Sequence, residues 1–430
     1  MSTATAPRAT SYDPTITAPS LAPVAPGERI AAIDQLRGWA MFGVLWSNLN
    51  DWYGTVAPRT TADHALSWTQ TWLVESRFYT LLCLLFGIGF GIQLLRARER
   101  GADVRATYWR RSAALLAIGI IHGTLIWNAD ILTMYALAAF ALVMFRDLRT
   151  SRLLPAALFL WVAGPWIASK AMFVGGLRFW MPAGLESIAD GPAGFANGSW
   201  LHVEHLRLAS YLEWYRHWPL TQYWTVIAMF LAGLWALKSG YLQRVINEPR
   251  STRRLLAWSI VIAAIGYAVE LWWMRIWPPP HRPLPVSNGS PGFWFFLFYP
   301  RALVFRALDW ATEATAVAYA AGLLLLWRSG RLRRLLRALG ATGRMALTTY
   351  LTQSIVCTLL FYGYGLGWYG RVGFTGMLII TLVLFGIQMA VSVWWLERFR
   401  FGPAEWLWRT VTYGRAPRMR VAVDDAPAIV

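Results

Sequence analysis

His122, Asp130 and Asn48 are the side chains whose types could do acid–base chemistry in an otherwise apolar chain. A histidine exchanges a proton near neutral pH, and a nearby carboxylate can orient the ring and stabilise its charged form. An asparagine amide can donate to an oxyanion developing on a carbonyl. His122 lies 11 residues beyond Arg111, a rise of about 16 Å on a helix. Asn48 stands 14 residues beyond Asp34, about 21 Å along the first apolar run. Asn128 and Asp130 follow His122 at the next turn, and His64 lies between the first two apolar runs. A histidine that only bonds a neighbouring helix is the bland alternative for His122.

A second group sits at another depth. Asp34 and Arg37 are three residues apart, so they share a helical face. A self-neutralising packing pair and a functional site are both open readings, because charges inside a span cost about 2.5–3.5 kcal/mol on insertion scales and face the bundle interior. The glycines of Phe86–Gly91 look like a phosphate loop but lie inside an apolar run without a preceding strand, so close helix packing is their expected role. His202, Glu204 and His205 lack a second ligand cluster, and no metal is expected.

The elements that must hold these groups follow from composition. Of the 430 residues, 57% are hydrophobic and only 14% charged, with 27 Trp. That balance excludes an ordinary soluble enzyme. Apolar runs fall at 30–48, 72–95, 112–127, 130–146, 153–174, 221–240, 255–277, 308–327, 345–366 and 374–396. The fold class expected is therefore all-α: a polytopic helical bundle in a bacterial cell (inner) membrane, with about ten transmembrane helices and both termini cytoplasmic.

Charge supports that topology. The net charge of +18 is spread in arginine clusters between the apolar runs, which argues against nucleic acid and for loops beside lipid headgroups. Segment 96–111 carries six Arg, whereas Arg59 is the only basic residue of 49–71. Loops 96–111 and 328–344 are thus expected inside, and 49–71 and 176–220 outside. Residues 1–29 read as a disordered cytoplasmic tail without a signal peptide, 30–413 as the membrane domain and 414–430 as a second cytoplasmic tail. Cys83 and Cys357 lie within apolar runs and form no disulfide framework.

At RIAAIDQLRGWAMFGVLWSN the chain resembles the YeiB-like bacterial membrane proteins, the domain of unknown function 418 family. The likeness continues through SRFYTLLCLLFGIGFGIQLLRARERG, YWRRSAALLAIGIIHGTLIWNADILTMYAL, GRMALTTYLTQSIVCTLLFYGYGLG and FRFGPAEWLWRTVTYG. It covers both ends of the domain and not the middle third. That family is grouped with transmembrane acyltransferases related to heparan-alpha-glucosaminide N-acetyltransferase, which share the Asp-x-x-Arg-Gly start of the first span.

The resemblance implies transfer of an acyl group from cytoplasmic acyl-CoA, with acetyl-CoA the expected form, to a hydroxyl or amine acceptor at the outer side. Asn48 matches the relative's catalytic Asn, and His64 is the histidine available in the following loop. His122 and Asp130 match the YeiB-like family's own His and Trp-x-Gly-Asp-Ile-Leu motif, with Ala129 where that motif has Gly. Thr349 stands where the C-terminal motif has Asn. The expected catalytic set is His122, Asp130, Asn48 and His64, with Asp34, Arg37, Arg110 and Arg111 at the acyl-CoA entrance. The implied partners are membrane lipid and a small-molecule or glycan acceptor, with a homo-oligomer left open. A transporter or exporter of a small amphiphilic compound is the rival class, and a noncatalytic membrane scaffold is a third.

Overall fold

The computed structural model describes residues 30–101, 104–174, 191–276 and 301–421. The expected N-terminal tail, the end of the C-terminal tail, and 278–300 and 176–190 of the outer segments lie outside the described residues. The elements in order are α1 (Ala31–Trp52), α2 (Thr61–Thr69), a π-helical turn (Gln70–Val74), α3 (Arg77–Glu99), α4 (Val104–Leu125), α5 (Leu132–Met144) and α6 (Thr150–Val174). Then come α7 (Gly191–Asn197), α8 (Trp200–Lys238), α9 (Tyr241–Asn247), α10 (Pro249–Ile276) and α11 (Arg301–Arg328). The last four are α12 (Arg333–Arg344), α13 (Ala346–Phe361), α14 (Phe374–Leu396) and α15 (Pro403–Tyr413). Among the described residues there is no strand, only isolated bridges Val56–Gly373 and Phe399–Arg420.

The all-helical architecture of a membrane protein follows from which surfaces are apolar. Trp258, Val261, Leu271 and Trp272 on α10, and Ile379, Val383, Ile387 and Val391 on α14, are exposed. In water such faces would be costly; in lipid they need no partner, and helices satisfy every backbone group internally. Among the described residues, four helices are long and apolar enough to cross a membrane, or five if the bent pair 222–238 and 241–247 forms one span. Leu132–Met144, Thr150–Gly164 and Ala346–Phe361 are shorter apolar helices, and the runs at 30–48 and 112–127 lie on the 22-residue helices α1 and α4. The run at 221–240 is not a separate element but the end of α8, which continues unbroken from Trp200. Its 39 residues rise about 58 Å, nearly twice the hydrocarbon thickness.

Glycines set the crossings that matter for the site. Gly38 on α1 lies against the Leu339 carbonyl of α12, and Gly343 lies against the Asp34 carbonyl, with no room for a Cβ at either. The two backbones therefore touch beside Asp34. Gly87 of α3 meets the Phe230 carbonyl of α8, and Gly233 of α8 meets the Leu84 carbonyl. The glycine-rich run is thus a helix-packing surface, as small residues commonly are in membranes.

Candidate active site

α4 ends at Leu125 and α5 begins at Leu132, and the short loop between them folds Asp130 back onto His122. Asp130 Oδ1 is 2.8 Å from His122 Nδ1. The same oxygen accepts the Leu132 N–H at 3.1 Å, and Oδ2 accepts the Thr133 N–H at 2.7 Å. Asp130 therefore caps α5, where the helix N-terminus favours a negative charge. Both side chains are buried, at 1% and 0% exposure. Gly119 makes the turn possible: a Cβ there would press on Thr133 and on the Asp130 carboxylate.

With Nδ1 held by the carboxylate, His122 Nε2 is buried and has no hydrogen-bond partner among the described residues. This is the arrangement of an oriented base, with one nitrogen anchored and the other available as an acceptor. The Tyr350 ring lies 5.0 Å from the imidazole, and its hydroxyl accepts the Ile131 N–H at 3.3 Å. Trp127 packs edge-on to the imidazole at 6.3 Å and stacks on Tyr53.

Tyr350 also lines a cavity of about 320 Å³. One end is apolar or aromatic, with Leu82, Phe86, Leu132, Tyr135 and Tyr350. The other end carries Arg37, Arg96, Arg111, Arg344 and Arg409 against two carboxylates, Asp34 and Glu405. Both carboxylates are engaged. Asp34 Oδ1 accepts Arg37 Nη1 at 3.0 Å. Glu405 Oε1 accepts the Leu347 and Thr348 N–H groups at 2.6 and 3.1 Å, and Oε2 accepts the Thr348 hydroxyl at 2.5 Å. Glu405 is thus a cap for α13 supplied by α15. Burial raises its carboxyl above the usual glutamate range, and the bonds from Thr348 and Leu347 oppose that shift.

The guanidinium groups are less well matched. Burial lowers both Arg344 and Arg409 from the ordinary arginine range, because desolvation disfavours the charged form. The Nε atoms of Arg111 and Arg344 are buried without a hydrogen-bond partner among the described residues. Arg111 stacks on Trp408, 3.6 Å from the ring centroid, while the Trp408 indole donates to the Arg111 carbonyl at 2.8 Å. Five cations against two occupied carboxylates leave this end of the cavity with an excess of positive charge, which favours anions.

Among the expected residues, Asp34, Arg37 and Arg111 line this cavity, and His122 and Asp130 form one pair beside its apolar end. Arg110 is exposed and does not line it. Asn48 is buried, and its Oδ1 accepts the Tyr79 hydroxyl rather than bonding to His122. Tyr135, which lines the cavity, in turn donates to the Tyr79 carbonyl at 3.1 Å, so Tyr79 stands between Asn48 and the cavity wall. His64 is exposed on α2, next to Asp63, which accepts from Thr375 at the start of α14. Sequence reading missed Arg344, Arg409, Glu405 and Tyr350 as site residues. The quoted C-terminal motifs contain all four, but nothing in their spacing points to α1 or α4.

Over 92% of its length the chain is 32% identical to the uncharacterized protein YxaH of Bacillus subtilis (strain 168), covering 96% of that relative. Residues 236–415 match the family model described as a protein of unknown function, DUF418. The chain belongs to the DUF418 family. A second relative, the uncharacterized protein YeiB of Escherichia coli (strain K12), is 29% identical over 90% of this chain and 96% of its own. The DUF418 match includes α12, α13 and α15, which bring Arg344, Tyr350, Glu405 and Arg409 to the cavity, while α1 and α4 lie before it.

Proposed function

We propose that this DUF418 protein is a membrane-embedded acyltransferase that moves an acyl group from cytoplasmic acyl-CoA to a hydroxyl or amine acceptor reaching it from the outer side. The observation that carries the reading is His122, anchored through Nδ1 by Asp130, unpartnered at Nε2 and packed on a tyrosine that lines the arginine-ended cavity. The loop charges support an orientation with that arginine end cytoplasmic in a ten-span topology with both termini inside. The phosphates of acyl-CoA fit Arg111, Arg344 and Arg409, beside the Asp34–Arg37 pair, and the acyl-pantetheine arm fits the apolar end.

In this reading Nε2 takes the proton of the acceptor O–H or N–H as that atom attacks the thioester carbonyl. The C–S bond breaks, and the CoA thiolate leaves with the proton carried by the imidazolium. Asp130 keeps the tautomer that presents the Nε2 lone pair. Asn48 holds the Tyr79 hydroxyl behind Tyr135 of the cavity wall, so in this reading it supports the wall and does not meet the oxyanion. His64 is a weaker base in this scheme, since no carboxylate is seen to orient it.

The test is incubation of the purified protein with acetyl-CoA and a membrane-extract acceptor pool, read by mass spectrometry. The expected result is an acetylated acceptor together with free CoA, both lost in His122→Ala. Flux of an unmodified solute in proteoliposomes, without any acylated product, would instead make the protein a transporter.

A further inference from the structure

The extended N-terminal half of α8 makes two side-chain contacts with the loop between α4 and α5 and a third with the first turn of α5, where Asp130 caps it. Arg207, Tyr211 and Tyr215 are four residues apart in turn, which aligns them on one helix face. Arg207 Nη1 donates to the Ile126 carbonyl at 2.6 Å, where the loop leaves α4. The Tyr215 hydroxyl donates to the Asp130 carbonyl at 2.7 Å, at the loop's far side. The Tyr211 hydroxyl shares a 2.9 Å hydrogen bond with Thr133 Oγ1, and the Thr133 N–H is itself held by Asp130.

The fit is built from both sides. Gly123, the residue after His122, has no Cβ where the Tyr211 ring lies. Arg207 is 1% exposed, pairs with Glu204 one turn earlier, and also reaches the Tyr364 hydroxyl at 3.4 Å. A buried guanidinium is costly to place, and here it fixes a main-chain carbonyl of the loop.

We propose that Arg207, Tyr211 and Tyr215 are positioning residues that hold Asp130 on His122 and so fix the imidazole tautomer. This rests on His122 being the base. A helix packed only for stability needs no three-point hold on one eight-residue stretch. Tyr223, two turns further along α8, gives the contrast: its hydroxyl donates to the Leu137 carbonyl within α5, beyond the loop. The groups around the imidazole are Asp130, Tyr350 and Trp127, with Tyr211, Tyr215 and the Arg207–Glu204 pair behind the loop.

The test uses the full chain labelled with 15N-histidine, its six histidine signals resolved by the spectrum of His122→Gln. In the wild type, His122 is expected as one tautomer, with a slowly exchanging proton on Nδ1. Tyr215→Phe and Tyr211→Phe should average the two tautomers and speed that exchange, and Tyr223→Phe should not. Because tautomer control acts on the chemical step, kcat for acyl transfer should fall about tenfold with the acyl-CoA KM unchanged.

A folded Tyr211→Phe/Tyr215→Phe double variant with the wild-type His122 signal would overturn the proposal. So would an equal disturbance by Tyr223→Phe. If the wild type transfers no acyl group yet the signal responds as expected, the positioning role stands and the enzyme reading falls.

Discussion

Two acidic side chains each hold a cationic or cation-forming partner in this molecule, and they are built in opposite ways. Asp34 and Arg37 lie three residues apart on one helix, with side chains 14% and 31% exposed at a cavity wall. Asp130 and His122 lie eight residues apart across a loop, essentially without exposure. The first pair forms wherever α1 forms, because helical geometry puts i and i+3 together. The second requires α4 and α5 to be closed on each other. The half-buried pair sits among further arginines at the cavity wall, whereas the buried pair lies behind Tyr350 and leaves His122 Nε2 without a hydrogen-bond partner among the described residues. In the proposed reading the first is the anion-binding end and the second the proton-accepting end.

The largest expected effect breaks the buried pair. His122→Ala should lower acyl transfer by about 10²–10⁴-fold while acyl-CoA binding survives. His64→Ala should stay within about twofold, since no carboxylate orients that ring. Single-turnover transfer by both purified variants decides this, and the reverse order of losses would move the base to His64.

Asp130→Asn comes next, with a loss on the order of 10²–10³ in kcat, because the amide no longer enforces the tautomer. Asp130→Ala should also lower the melting temperature. It leaves the Leu132 and Thr133 N–H groups without their acceptor, at about 1–3 kcal/mol for each buried donor. An unchanged melting temperature would show that Asp130 is not the cap of α5.

At the other end, Arg111→Gln, Arg344→Gln and Arg409→Gln together should weaken acyl-CoA binding by about 10–100-fold with little change in kcat. Titration at two salt concentrations should show a flatter salt dependence in the triple variant than in the wild type. Equal affinity in a folded triple variant would remove the phosphates from this site.

The smallest effects sharpen the comparison within the arginines. Arg37→Gln should weaken binding by about threefold, since Asp34 already neutralises much of its charge. Exposed Arg110→Gln should change it by less than about twofold. A larger loss for Arg110 than for Arg344 would mean that the anion binds outside the cavity.

Parts of this arrangement were legible in the residues. The Asp34–Arg37 contact follows from spacing, and the packing role of the glycine-rich run follows from its place in an apolar span. The YeiB-like motif marked His122 with Asp130. The composite anion site was not legible, because Arg344, Glu405 and Arg409 lie more than 300 residues from Asp34. Their meeting depends on the crossing at Gly38 and Gly343, for which no short-range pattern exists. The segment at 200–220 read as an outer connection because Glu204, Arg207, Glu213, Arg216 and three histidines dilute its hydropathy. Its continuous helix depends on contacts such as Tyr211–Thr133 and Tyr215–Asp130 that only the folded chain supplies.

Composition and its long continuous apolar runs by themselves pointed to helices that bury their apolar surface in lipid, since the other arrangement that satisfies the backbone there, a closed β-barrel, needs strands that alternate apolar and polar residues. Local spacing determined which neighbours along one helix would touch. Which arginines share a cavity, which tyrosine stands between that cavity and His122, and which half of α8 grips the loop were decided by tertiary structure alone. Hydrophobicity constrains how deep a residue lies but is nearly indifferent to which helix it faces. That choice is made by close-packed backbones at glycines and by buried hydrogen bonds, each of which admits only one partner.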